Sequence, residues 1–169
     1  MTAVTLEPAQ PHHAVAIANM MQLYTHDFSE QWAGQDRGEL GEDGLFDAYP
    51  YLDSYWSEPD RVPLLIRNAG ALAGFCLLNR HAHGAQPVDR NMAEFFVVRK
   101  HRSAGVGAAA ASLAFAAYPG VWEVAVARRN LRALPFWRRT IETLPNLRDL
   151  HELTDATDWD GTIFRFQVG

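Results

Sequence analysis

Residues 91–118 read NMAEFFVVRKHRSAGVGAAAASLAFAAY, and this stretch decides how the rest of the chain is organised. Residues 91–98 form an apolar run rich in Phe and Val, which is typical of a buried strand. Residues 99–107 form a basic turn with two glycines at its end. Residues 104–118 are mostly alanine, which favours a helix, and the Pro-Gly pair that follows ends it. The stretch therefore predicts a strand, a glycine turn and a helix in succession.

The glycine turn has the composition of an anion site. A helix that starts directly after a turn presents free backbone N–H groups and a positive end to a phosphate. The turn also carries Arg99, Lys100, His101 and Arg102. We therefore expect a phosphorylated cofactor to bind here.

Two glycine patterns fit the turn. Residues 105–110, GVGAAA, match the dinucleotide pattern G-x-G-x-x-A. In a Rossmann site, however, the glycines follow the strand closely and most of a doubly wound sheet comes after them. Here a basic segment intervenes and only about sixty residues remain, which argues against a dinucleotide site.

The other pattern is RSAGVG at residues 102–107, which resembles the acyl-CoA signature [QR]-x-x-G-x-[GA] of the GNAT superfamily of N-acetyltransferases. The resemblance also takes in the preceding strand, the Ala-rich helix, a strand at 121–127, and Asn130, Phe136 and Trp137 beyond it. It implies an α/β fold of the α+β type, with a mixed, mostly antiparallel sheet of six to seven strands and about four helices. It also implies acetyl-CoA as the cofactor and an N-acetyltransferase function.

Length and composition set the outer bounds. The 169 residues are expected to form a single domain, 1–169. No apolar run reaches membrane-spanning length, and the first residues lack the features of a signal peptide. Cys76 is the one cysteine and has no internal disulfide partner, which suits a reducing cytoplasm. His81 and His83 have no nearby cysteine or carboxylate partner, so they do not predict a metal site.

The charge is unevenly distributed along the chain. Residues 27–60 hold ten Asp and Glu against one Arg, whereas residues 90–139 hold nine Lys and Arg against two Glu. Such runs are often plain solvated faces, but a basic half would suit coenzyme A phosphates and an acidic half a cationic amine. The net charge of −5 and the lack of a nucleic-acid motif argue against nucleic-acid binding.

The remaining segments read as ordinary elements of such a fold. Their spacing predicts strands at 3–6, 62–67, 72–78, 121–127, 147–153 and 162–168, helices at 12–28 and 131–144, and a short helix at 52–56.

The resemblance assigns the cofactor-binding residues. The pantetheine arm would bond to the main chain of Phe96, Val97 and Val98, and an N–H near Val97 or Val98 would hold the thioester carbonyl. Asn130 would contact the same arm, with Phe136 and Trp137 packing beside it. The pyrophosphate would bind the turn residues Arg102, Ser103, Ala104, Gly105, Val106, Gly107 and Ala108.

Glu94 is the predicted catalytic base. An alkylammonium acceptor, with a pKa of about 10.4, must lose a proton before it attacks. Glu94 is the only acid in the apolar run, and strand alternation places it on the face of Phe96 and Val98. Burial would raise its pKa toward a useful range. A structural salt bridge is the alternative.

The acceptor side is placed more coarsely. Tyr24 and Asp27 at the end of the first predicted helix, and Tyr55 in an aromatic segment, are candidate acceptor-binding residues. The acceptor would be a primary amine of a small molecule or a protein, and dimers are common in this family. Trp137 stands where many members carry a proton-donating Tyr. This departure keeps open a non-catalytic acyl-CoA-binding or sensing domain of the same fold.

Overall fold

The computed structural model describes residues 3–169 and contains one seven-stranded sheet. The strand order is β1-β2-β3-β4-β5-β7-β6, and every neighbouring pair is antiparallel except β4 and β5. The strands are β1 (Val4–Pro8), β2 (Val62–Asn68), β3 (Ala71–Asn79), β4 (Arg90–Val97), β5 (Gly120–Ala127), β6 (Leu147–Leu153) and β7 (Gly161–Val168). The helices are α1 (Ala14–Ser29), α2 (Val106–Ala117) and α3 (Ala133–Glu142), with short 3-10 helices at Pro11–His13, Glu30–Trp32, Asp53–Trp56 and Arg99–His101.

The expected mixed, mostly antiparallel sheet is confirmed. Each predicted strand and long helix lies within about two residues of an observed element, the usual uncertainty of element ends. The fourth expected helix, at 52–56, is the 3-10 helix Asp53–Trp56. The β2–β3 turn has positive φ at Ala69 (49°) and Gly70 (81°), as a two-residue hairpin of matching twist requires.

The two faces of the sheet are covered by different helices. Helices α2 and α3 cover one face, where Phe115 and Trp122 are fully buried. Helix α1 covers the other face through Ile17, which packs with Phe75 and other residues of the central strands. Within residues 3–169, no helix is long and apolar enough to cross a membrane.

The two central strands, β4 and β5, stay together for only a short distance. Their register contains just two pairs, Arg90 with Trp122 and Asn91 with Glu123. Beyond Asn91 the strands continue without pairing to each other, so the backbone of β4 is left open toward β5. A bulge opposite Leu77 and Leu78 also interrupts the β3–β4 ladder just before Glu94. The fold thus exposes main-chain groups at the carboxyl end of β4.

Candidate active site

The turn between β4 and α2 is built to present backbone N–H groups. Ser103 and Gly105 have positive φ (65° and 75°), and α2 begins at Val106 without a side-chain cap. In the described chain, none of the N–H groups of residues 103–108 makes a hydrogen bond of normal geometry to a protein acceptor. Successive free N–H groups at a helix start attract phosphate.

The two glycines serve the turn in different ways. Gly105 is needed for its left-handed backbone conformation rather than for lack of room, because a Cβ at this position would meet nothing within 4 Å. The space in front of the turn is therefore open. A Cβ on Gly107 would come to 3.3 Å from the ring of Phe136. The turn therefore has free N–H groups and open space, and phosphate binding by residues 102–108 stays a prediction.

The end of β4 offers main-chain groups to the open side. The N–H of Val98 donates to the carbonyl of Ala73 at 2.8 Å, so it is already used within the sheet. Because peptide groups alternate in direction along a strand, those of Phe95 and Val97 point away from β3, toward β5. Of the two N–H groups proposed to hold a thioester carbonyl, only that of Val97 remains available.

The Glu94 carboxyl faces α1 and sits between two phenols. Burial raises its pKa to about 7, although the hydroxyls of Tyr24 and Tyr49, which lie within hydrogen-bonding reach, act in the opposite direction. Burial also raises the pKa values of Tyr24 and Tyr49, so both phenols stay protonated as donors. Among the described residues Glu94 has no ion-pair partner, so the structure shows no salt bridge of the kind considered as the alternative to a catalytic base. Its environment is that of a base near neutrality.

The aromatic segment before β2 contributes Tyr49 rather than Tyr55 to this site. Tyr55 is only 2% exposed and packs in the core beneath α1, so its ring does not line an open pocket. Its hydroxyl lies beside that of Tyr49, and a contact between Tyr55 and the acceptor stays a prediction. Tyr49 reaches Glu94 and also borders a cavity of about 220 Å³. That cavity is lined by Ala18, Met21, Gln22, Ala48, Tyr49, Pro50, Leu52 and Asp53.

Asp27 also lies in a different setting from the one expected. Its carboxylate pairs with Arg99 and Arg102 of the cofactor turn, with 2.7 Å from Arg99 Nη2 to Asp27 Oδ1. Partial burial raises the pKa of Asp27, but hydrogen bonds and charge from both arginines outweigh it and the net shift is downward. Because both oxygens are engaged, Asp27 does not present a free carboxylate to a cationic acceptor.

The residues after β5 divide between the turn and the core. Asn130 lies in the loop before α3, where its side-chain oxygen accepts a hydrogen bond from Ala133 N at 3.2 Å. This leaves the Asn130 amide NH2 group for a ligand. Phe136 stacks on Phe95, with ring centroids 6.1 Å apart, and borders the turn at Gly107. Trp137 is 7% exposed and packs in the core. Its expected contact with the cofactor stays a prediction.

The sequence did not identify a second buried acid, Glu123 of β5. Its carboxylate is fully buried and pairs with Arg165 of β7 at 3.0 Å. The N–H of His83 donates to the same carboxylate at 2.7 Å, and Arg165 also donates to the carbonyl of Pro87 at 2.8 Å. The pair therefore ties the loop between β3 and β4 to the sheet. An acid inside an apolar strand was the available signal, the same one that pointed to Glu94.

Comparisons with known proteins bear on the fold. No family model matches the chain, and no curated protein sequence matches it either. Solved structures are similar over almost the whole chain. A GNAT-family acetyltransferase from Staphylococcus aureus Mu50 has a TM-score of 0.60 at 10% identity, covering 99% of this chain and 100% of its own.

Two further solved structures contain coenzyme A. Aminoglycoside acetyltransferase AAC(6')-Ib has a TM-score of 0.64 at 14% identity, covering 98% of this chain and 95% of its own. The PaiA N-acetyltransferase from Thermoplasma acidophilum has a TM-score of 0.53 at 10% identity, covering 99% of each chain. At sequence identities this low, structural similarity shows a shared fold but not a shared reaction. The protein has the fold of the GNAT acetyltransferases.

Proposed function

We propose that the protein is an acetyl-CoA-dependent N-acetyltransferase with Glu94 as its general base. The observation that carries this proposal is the position of Glu94. Its carboxyl, with a pKa raised to about 7, lies on the strand whose open end leads directly into the phosphate-type turn. The bound nucleotide and the base would thus be held by one continuous segment, residues 94–108.

Acetyl-CoA would supply the acetyl group as a thioester. The free N–H groups of residues 103–108 would bind its pyrophosphate, and the exposed basic side chains of Arg99 and Lys100 would add favourable charge. The carbonyl of Phe95 would accept a hydrogen bond from the pantetheine arm, and the Asn130 amide would donate one to it. Phe136, between Gly107 and Phe95, would flank it.

The chain's own groups would then perform the proton transfer. Glu94 would take a proton from the acceptor ammonium, directly or through a water, and so free the nitrogen lone pair for attack. The N–H of Val97 would stabilise the negative charge that develops on the acyl oxygen as the nitrogen attacks. The C–S bond would then break, and CoA would leave as a thiolate that takes up the second proton lost by the nitrogen. Tyr24 and Tyr49 would hold the carboxyl in place. Trp137 is buried and has no acid role in this scheme.

The acceptor we propose is a primary amine carrying positive charge, on a small molecule or a protein. The cavity beside Tyr49 contains Asp53, and ring faces with a carboxylate suit an ammonium group. The acidic run of residues 27–60 supplies residues 48–50 and 52–53 of the cavity wall, and its net negative charge would attract cations. The AAC(6')-Ib comparison structure is, by its name, an aminoglycoside acetyltransferase.

A non-catalytic acyl-CoA sensor of the same fold is the second candidate, favoured by the burial of Trp137. Release of free thiol from acetyl-CoA, measured across a panel of diamines, aminoglycosides and lysine peptides, separates the two. We expect amine-dependent thiol release that Glu94→Gln reduces by about two orders of magnitude or more. Calorimetric titration with CoA should give the same Kd for both forms. CoA binding without turnover on any amine would instead support the sensor.

A further inference from the structure

We infer that Asp27 is a positioning residue, which couples the cofactor turn to the acceptor side of the site through α1. This inference rests on the proposed function, since it concerns how the two halves of the same site are aligned. It replaces the acceptor-binding role expected for Asp27 from the sequence.

The Asp27 carboxylate accepts hydrogen bonds from both arginines of the turn, Arg99 and Arg102. Its Oδ1 accepts from Arg99 at 2.7 Å (Nη2) and 3.2 Å (Nε), and its Oδ2 accepts from Arg102. Arg102 also donates from Nε to the carbonyl of Val97 at 2.7 Å. One carboxylate on α1 therefore orients the turn and, through Arg102, the open peptide group at the end of β4.

The same turn of α1 carries Tyr24, three residues earlier, which faces Glu94. Residues three apart lie on one side of a helix, so Tyr24 and Asp27 move together. The Phe96 ring contacts both Tyr24 and Arg102: its centroid is 5.6 Å from the Tyr24 ring and 5.5 Å from the Arg102 guanidinium carbon. Base, phenol, aromatic ring and arginine thus form one packed series between the two halves of the site.

Loss of the Asp27 charge has two opposite consequences for an anionic ligand. Removing a negative charge favours the phosphates through Coulomb attraction, and this gain is only partly screened because the Asp27 side chain is 21% exposed. Releasing Arg102 would disorder the turn and the Val97 peptide group, which direct contacts hold. We expect the loss of order to dominate, so that Asp27→Asn weakens cofactor binding.

The test is calorimetric titration of the full chain with CoA, using Asp27→Asn and the charge-keeping Asp27→Glu. We expect the Kd to rise about fivefold or more in the asparagine variant and to recover in part in the glutamate variant. Glu152→Gln is the matched control, because Glu152 forms a two-bond surface pair with Arg138 (2.7 and 2.9 Å) away from the turn. Its Kd should equal that of the wild type.

A second measurement separates positioning from plain stability. If Asp27 aligns Tyr24 with Glu94, Asp27→Asn also shifts the pH midpoint of kcat/KM, which reports Glu94 between Tyr24 and Tyr49. An unchanged Kd and midpoint, with only the loss of stability seen for Glu152→Gln, would overturn the inference, as would tighter binding. Failure of the wild type to bind CoA would instead show that the proposed function is wrong.

Discussion

The hydroxyl of Tyr24 on α1 lies within hydrogen-bonding reach of the Glu94 carboxyl on β4. Burial raises the pKa of Glu94 to about 7, and the hydrogen bonds of Tyr24 and Tyr49 limit that rise. The two phenols also stay protonated at neutral pH because burial raises their own pKa values. The site therefore holds a carboxyl that changes its charge near neutrality, next to permanent hydrogen-bond donors.

The pH dependence of turnover follows from this arrangement. With an alkylammonium acceptor, whose own pKa of about 10.4 lies above the range, we expect kcat/KM to rise with pH around a midpoint near 7, where Glu94 loses its proton. Tyr24→Phe removes a donor that favours the charged carboxylate, so its midpoint should move to higher pH. Steady-state rates between pH 5 and 9 check both. A midpoint that stays fixed in Tyr24→Phe would exclude Tyr24 as a partner of Glu94.

The raised pKa of Glu94 also predicts how stability depends on pH. Because the folded pKa, about 7, exceeds the ordinary value of 4.5, the folded state binds more protons than the unfolded state between them. The free energy of unfolding should therefore fall as pH rises through this window. Glu94→Gln mimics the neutral acid and should escape the loss, becoming more stable than wild type at pH 8 by about 3 kcal/mol.

Urea unfolding of wild type and Glu94→Gln at pH 5 and pH 8 measures this difference. All other groups are common to both proteins, so their contributions cancel. If the difference between wild type and Glu94→Gln is the same at pH 5 and pH 8, Glu94 is solvated and titrates normally.

A substitution in the cofactor turn should weaken CoA binding by more than its effect on stability explains. Gly105→Ala places a Cβ in a left-handed conformation, at a cost of about 1 kcal/mol, and into the open space where phosphate would bind. Gly44→Ala is the matched control, since Gly44 has a φ of 76°, close to that of Gly105, and a Cβ there would likewise meet nothing within 4 Å. We expect similar losses of stability by thermal denaturation but weaker CoA binding only in Gly105→Ala. Equal CoA affinity in the two variants would contradict an anion site at the turn.

The Glu123–Arg165 pair should contribute to stability rather than to chemistry. Because Glu123 is fully buried, replacing Arg165 with Met leaves an uncompensated charge and should cost about 3 to 5 kcal/mol. The double variant Glu123→Leu with Arg165→Met should be less destabilised than either single change. Glu152→Ala, which breaks an exposed pair, should cost about 0 to 1 kcal/mol. Denaturant unfolding compares all four, and additive effects would show that the two residues are not coupled.

Much of the fold was predictable because its determinants are local. The apolar run at 91–98, the glycines and the alanine-rich segment specify strand, turn and helix through neighbouring residues alone. The left-handed φ at Gly105 follows from the residue type. The acid within the strand marked Glu94 as unusual for the same reason, since a carboxylate in an apolar run needs an explanation.

The candidate site was less predictable because its contacts join distant parts of the chain. Tyr24, Tyr49 and Glu94 meet only when α1 and the segment before β2 pack on the central strands, which also buries Tyr55. The pairing of Asp27 with the turn has the same origin. Sequence by itself determined the element order, the glycine turn between β4 and α2, and the acid in β4. The tertiary structure decided which side chains surround that acid and which are buried, because burial and charge pairing depend on residues that only packing brings together.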